Sequence, residues 1–84
     1  MLVWLEQGRA VVRVEYFDAL GKLRRETFYR PTRDLGRALE EVAQVLAGQG
    51  LRGRPRVRRK RGSELLTEPE LQARFYRALK GTHE

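Results

Sequence analysis

The chain has 84 residues, a net charge of +7, one histidine and no cysteine. That length supports a single small domain over 1–84 with one modest core, and the missing cysteine excludes a disulfide framework and a thiolate metal site. The longest uncharged stretch, residues 42–51, is broken by Gln44, Gly48, Gln49 and Gly50; it falls far short of the roughly 20 apolar residues a spanning helix needs. The opening MLVWLEQ has no basic segment before its apolar residues, so no secretory signal and no membrane are expected, and the expected location is the cytoplasm. Arginine outnumbers lysine fifteen to three, and Asn and Ile are absent. This fits GC-rich codons and is compatible with a hot habitat, and it makes an isolated arginine a weak signal.

Leu2 to Leu5 is a short apolar run, followed by a turn at Gln7-Gly8. In residues 9–17, Ala10, Val12, Val14 and Tyr16 alternate with Val11, Arg13 and Glu15, the period of a strand with two unlike faces. Asp18 opens and Gly21 closes a turn, and residues 22–29 return as an antiparallel partner that Pro31 ends. Thr32 is placed to cap a helix over about residues 33–47, with Asp34 in its first turn favoured by the helix dipole. Leu35, Leu39, Val42 and Leu46 share one face of it, leaving Arg37, Glu40, Glu41 and Gln44 wet. Gly48, Gln49 and Gly50 stop it.

Residues 52–61 read RGRPRVRRKR: seven of the eighteen Lys and Arg residues in ten positions, with no acid among them. Outside this run eleven basic residues face eleven acidic ones, so the whole net charge sits here. Arg52, Arg54, Arg56, Arg58 and Lys60 alternate with Gly53, Pro55, Val57 and Arg59, which predicts a strand with Val57 turned inward and a cationic outer face. Then Thr67-Glu68-Pro69-Glu70 forms a capping box for a last helix ending at Lys80, with Leu71, Phe75, Ala78 and Leu79 buried and Gly81 as its stop. The order β-β-β-α-β-α predicts an α+β fold, an antiparallel three- to four-stranded sheet with two helices packed on one face and the basic segment at the sheet edge.

This order of elements resembles the opening of ribonuclease H-like folds, a three-strand meander followed by a helix and a strand. That resemblance implies a metal-binding aspartate in the first strand, where this chain has Leu2-Val3-Trp4-Leu5. Small degenerate versions of that fold serve as bacterial antitoxin subunits, so the resemblance favours a binding or regulatory role.

The inventory for catalysis is thin. His83 lies past the last helix stop, Ser63 sits in a loop with no neighbouring histidine, and Glu40-Glu41 and Glu68 with Glu70 belong to a wet helix face and a helix start. No catalytic residue, metal site or cofactor is therefore expected. A few charges would protect an edge strand, and a glycine-flanked run can also be a solvated loop. Seven cations exceed the first need, and concentrated positive charge is the footprint of a polyanion. With only Val57 and Pro55 as apolar groups, the run suits nucleic acid better than lipid.

The expected function is thus a non-enzymatic nucleic-acid-binding protein gripping phosphate through Arg52, Arg54, Arg56, Arg58, Arg59, Lys60 and Arg61, with Arg74 and Arg77 extending the surface. RNA and DNA are left undistinguished. The alternative is a regulatory or accessory module, antitoxin-like, that pairs with a protein partner or a second copy through an edge strand. The aromatics that could stack on bases are few, Trp4, Phe28, Tyr29 and Tyr76; Trp4 and one of Phe28 and Tyr29 are expected in the core, the other of that pair on the outer face or under a helix, and Tyr76 at the rim of the last helix.

Overall fold

Alternation along the second strand decides the layering. In the computed structural model, which describes residues 1–81, β1 (Leu2–Glu6) and β2 (Arg9–Phe17) form an antiparallel hairpin across the two-residue turn at Gln7 and Gly8. Ala10, Val12, Val14 and Tyr16 point to the core, whereas Arg9, Val11, Arg13, Glu15 and Phe17 point away from it. β3 (Leu23–Arg30) pairs with β2 along its whole length. The turn between them is built on Asp18, whose carboxylate accepts from the Leu20 and Lys22 amides (2.9 and 3.0 Å) while its carbonyl accepts from Gly21 (2.9 Å). Gly21 has a φ of 79°, the left-handed conformation that glycine adopts without strain.

α1 (Leu35–Gly48) lies over the inner face. Its cap is Asp34, two positions later than the Thr32 that the sequence suggests: the Asp34 carboxylate accepts from the Arg37 amide (3.2 Å), and Thr32 Oγ1 accepts from the Asp34 amide (3.1 Å). The helix closes through the Leu51 amide on Leu46 O (3.1 Å) and the Gly50 amide on Ala47 O (3.2 Å), the paired bonds of a Schellman motif. Gly50 has a φ of 75°, and a β-carbon there would come within 2.7 Å of Ala19 Cβ, so glycine is required on both counts.

The second half of the chain departs from expectation. The sheet has five strands and is mixed, in the order β3-β2-β1-β4-β5. β4 (Arg58–Arg61) lies parallel to β1, and β5 (Glu64–Thr67) returns antiparallel to β4 through a turn at Gly62 and Ser63. The basic strand is therefore internal, and the edges are β3 and β5. The sequence pattern predicts no strand over these four residues and expects Thr67 in a helix cap. Thr67 belongs to that strand, and α2 (Pro69–Gly81) begins at a proline, whose missing N–H costs nothing at the first helical position. Gly81 is the last helical residue described, and His83 lies outside the described residues.

α2 packs on α1. Its Phe75 is fully buried with Val3, Val12, Leu39, Val42, Leu46 and Val57, and Leu71, Ala78 and Leu79 pack partly buried around this core. Both helices thus serve one face of the sheet.

Candidate nucleic-acid interface

Only the last four residues of the basic run are strand. Pro55 has no amide to donate, and the backbone around it is held by α2 instead of by a ladder. The Tyr76 hydroxyl donates to Arg54 O and Pro55 O (3.3 and 3.1 Å), and the Val57 amide donates to Gln72 Oε1 (3.1 Å). The Met1 amino group donates to Arg56 O (3.1 Å) and the Arg58 amide to Met1 O (3.0 Å), which starts the parallel pairing. Val57 is buried between exposed Arg56 and Arg58, as the alternation predicts. The expected ladder of cations from Arg52 onward does not form.

The nine cations singled out from the sequence go to separate places. Arg58 and Lys60 project from the helix-free face, while Arg59, opposite buried Val3, points to the helix side, where it lines a 320 Å³ cleft with Asp34, Glu68 and Arg74. Arg61, opposite Glu64, shares the side of Arg59. Arg52 bridges to Phe17 and donates to Ala19 O (3.0 Å). Arg54 stacks over the Tyr76 ring at 5.8 Å, and with Arg77 and Lys80 it lines a groove of about 560 Å³ between the end of α1 and α2. Arg74 is committed to acids: its Nε and Nη2 lie 2.9 and 2.5 Å from Glu40 Oε1, with Asp34 at 3.8 Å. The Glu40 bond raises the guanidinium pKa further above its ordinary value. Glu40 and Glu41, expected to be wet, are half-buried and paired, Glu41 with Arg30 and Arg37.

The helix-free face gathers a second set of residues. Trp4, Val11 and Tyr29 are register partners across β1, β2 and β3. Trp4 is on this face and not in the core, which corrects its expected placement; Phe28 packs on the core and Tyr29 is 50% exposed. Arg13 from β2 and Lys60 from β4 both lie over the Trp4 ring, at 5.3 Å from its centroid, and Arg9 lies 5.2 Å over Tyr29. Val11 is fully buried although no helix covers it, because its neighbours shield it.

Arg9, Arg13, Arg58 and Lys60 make no ion pair among the described residues. The acids on this face are Glu6, opposite Arg9, and Glu15, paired with Arg25 at 3.1 Å. The Met1 amine at the margin is held below its usual pKa by burial and then by the Arg58 charge, a sign of the local positive field. Sequence reasoning missed Arg9 and Arg13, and it expected Trp4 in the core. The signal was present in β2, where the alternation that buries Ala10 and Val12 must expose Arg9 and Arg13.

Among the described residues no three His, Cys, Asp or Glu side chains gather where a metal ion could be held. No protein-family model matches the chain, and neither a curated protein nor a solved structure is significantly similar to it.

Proposed function

We propose that the protein is a non-enzymatic nucleic-acid-binding protein or subunit that grips the phosphate backbone. The observation that carries this reading is the set of four cations, Arg9, Arg13, Arg58 and Lys60, that make no ion pair among the described residues and share the sheet face that no helix covers. An unpaired cluster costs mutual repulsion in the free protein, which a polyanion relieves with release of its counterions. The basic strand contributes Arg58 and Lys60 to this surface, and exposed Arg56 lies just before it.

A gel-retardation series against DNA and RNA at rising salt tests the reading. With about four to six phosphates neutralised, the log–log slope should be about −3 to −5. Replacing Arg56, Arg58 and Lys60 together by Glu should abolish binding while circular dichroism stays native. Tight binding by that variant would remove the basic segment from the mechanism.

A protein-interaction role is favoured by one other observation. β5 is a free edge, and its Leu65 is 50% exposed. A partner strand added there would make an antitoxin-like or accessory module. A pull-down lost on Leu65→Lys, in a protein that binds no nucleic acid at low salt, would select it.

A further inference from the structure

Trp4 and Tyr29 sit two strands apart in one row of the open face. Neighbouring strands are about 4.8 Å apart, so the two rings rise from the sheet roughly 10 Å from each other, with Val11 as the floor between them. We propose that this face is a stacking platform for single-stranded nucleic acid, one base settling on Trp4 and a second on Tyr29, with the flanking phosphates taken by Arg9, Arg13, Arg58 and Lys60. The proposal rests on the phosphate-gripping reading above and adds the strandedness of the ligand and the groups that hold its bases.

Three relationships lead to it. First, each ring already carries a cation on its face: Arg13 and Lys60 on Trp4, and Arg9 on Tyr29. These are long side chains on an exposed surface, held to the rings by a cation–π attraction of about 0.5–1 kcal/mol at such sites. A base can replace them, because its π-face meets the aromatic ring as well, and the displaced guanidinium or ammonium is then free for the phosphate of the same nucleotide. One movement satisfies both contacts.

Second, the ring spacing selects against a duplex. Bases within a duplex stack at about 3.4 Å and present no free faces to a sheet, whereas rings roughly 10 Å apart require two bases separated from each other. Only a strand free to splay its bases meets that condition.

Third, the charge of the face argues against a second copy of this chain as occupant. Phe17 (55% exposed), Leu23 and Leu65 would contribute apolar area, but a face-to-face pair would also have to desolvate Arg9, Arg13, Arg58 and Lys60 against only Glu6 and the already paired Glu15 of the other copy. Phosphates supply the complementary charge. Stacking is sequence-tolerant, since every base has a π-face, so the platform would accept short single strands of either RNA or DNA.

Trp4 is the sole tryptophan, so intrinsic fluorescence reports on the proposed site directly. The full chain would be titrated at low salt with oligo(dT), oligo(U), a DNA duplex of the same length and inorganic polyphosphate. Single strands should bind and quench Trp4, the duplex should bind more weakly, and polyphosphate should bind by charge without quenching. Tyr29→Ser should weaken single-strand binding about 5- to 150-fold and leave polyphosphate binding unchanged, and Tyr29→Phe should restore it. Single-strand binding without quenching, equal affinity for the duplex, or a Tyr29→Ser variant with native circular dichroism and unchanged affinity would overturn the platform while sparing the phosphate reading. Failure to bind any of the four polyanions would sink both. A Trp4 emission shift that tracks protein concentration alone, together with dimers on size exclusion, would assign the face to a second copy instead.

Discussion

The Arg74 guanidinium occupies the space that a β-carbon at position 36 would need. A methyl group built on Gly36 would lie 2.0 Å from Arg74 Nη1 and 2.4 Å from its Cζ. Glycine in the first turn of α1 is thus what lets α2 reach across to Glu40 and Asp34. Gly36→Ala should expel the guanidinium while gaining about 1 kcal/mol of helix propensity, so its net effect on thermal stability should be small. The diagnostic is a double-mutant cycle. Glu40→Gln should lower the melting midpoint in the natural background and have no effect in Gly36→Ala.

The Val57 amide is one of the points at which the basic run is fastened to α2. Gln72→Ala removes its acceptor, and a buried donor left without a partner should cost about 1–3 kcal/mol in urea titrations. Hydrogen exchange at Val57 should accelerate more than at Val12. Phe75→Ala, which empties the centre of the core, should cost about 3–5 kcal/mol and leave a domain of this size near its unfolding threshold.

Asp18 predicts the acid limb of the stability curve. The Lys22 amide holds its carboxyl below the usual carboxylate range, burial opposes this, and the Leu20 amide and Arg24 reinforce it. Because the folded value is depressed, the contribution is fully present above the unfolded pKa of about 3.9 and is lost as pH falls through the folded value. Asp18→Asn should therefore be less stable than the natural protein at neutral pH, with the gap closing in strong acid.

Salt dependence separates the free cations from the paired one. Arg13→Gln should weaken nucleic-acid binding and reduce the salt slope by about 1. Arg74→Gln should leave the slope unchanged, because Glu40 already neutralises that charge. An equal loss in both variants would place the binding surface on the helix side.

The first half of the molecule was legible because each element carries its own punctuation. Asp18 and Gly21 mark one turn, Gln7 and Gly8 another, and Leu35, Leu39, Val42 and Leu46 define a helix face that the core uses unchanged. The second half was less legible because its structure is decided by distant partners. Residues 53–57 alternate like a strand, yet Tyr76 and Gln72 take their backbone groups. Glu64 to Thr67 lacks any strand-like alternation and becomes β5 because β4 offers an edge. The same holds for the candidate site. The cations of the basic run were visible as a cluster, but its division between two faces, and its union with Arg9, Arg13 and Trp4, depend on β4 lying beside β1, a pairing of residues more than fifty positions apart.

That parallel pairing joins Leu2 to Arg58 and Val3 to Arg59 and nothing more. During synthesis at about 5–20 residues per second, β1 therefore waits roughly 3 to 11 s for its second neighbour, with a row of backbone donors and acceptors open to any passing strand. The neighbour that finally arrives is almost pure positive charge, so two copies of it competing for one seam repel each other. The charge proposed to grip a polyanion would also keep the same strand of two chains from crowding one seam.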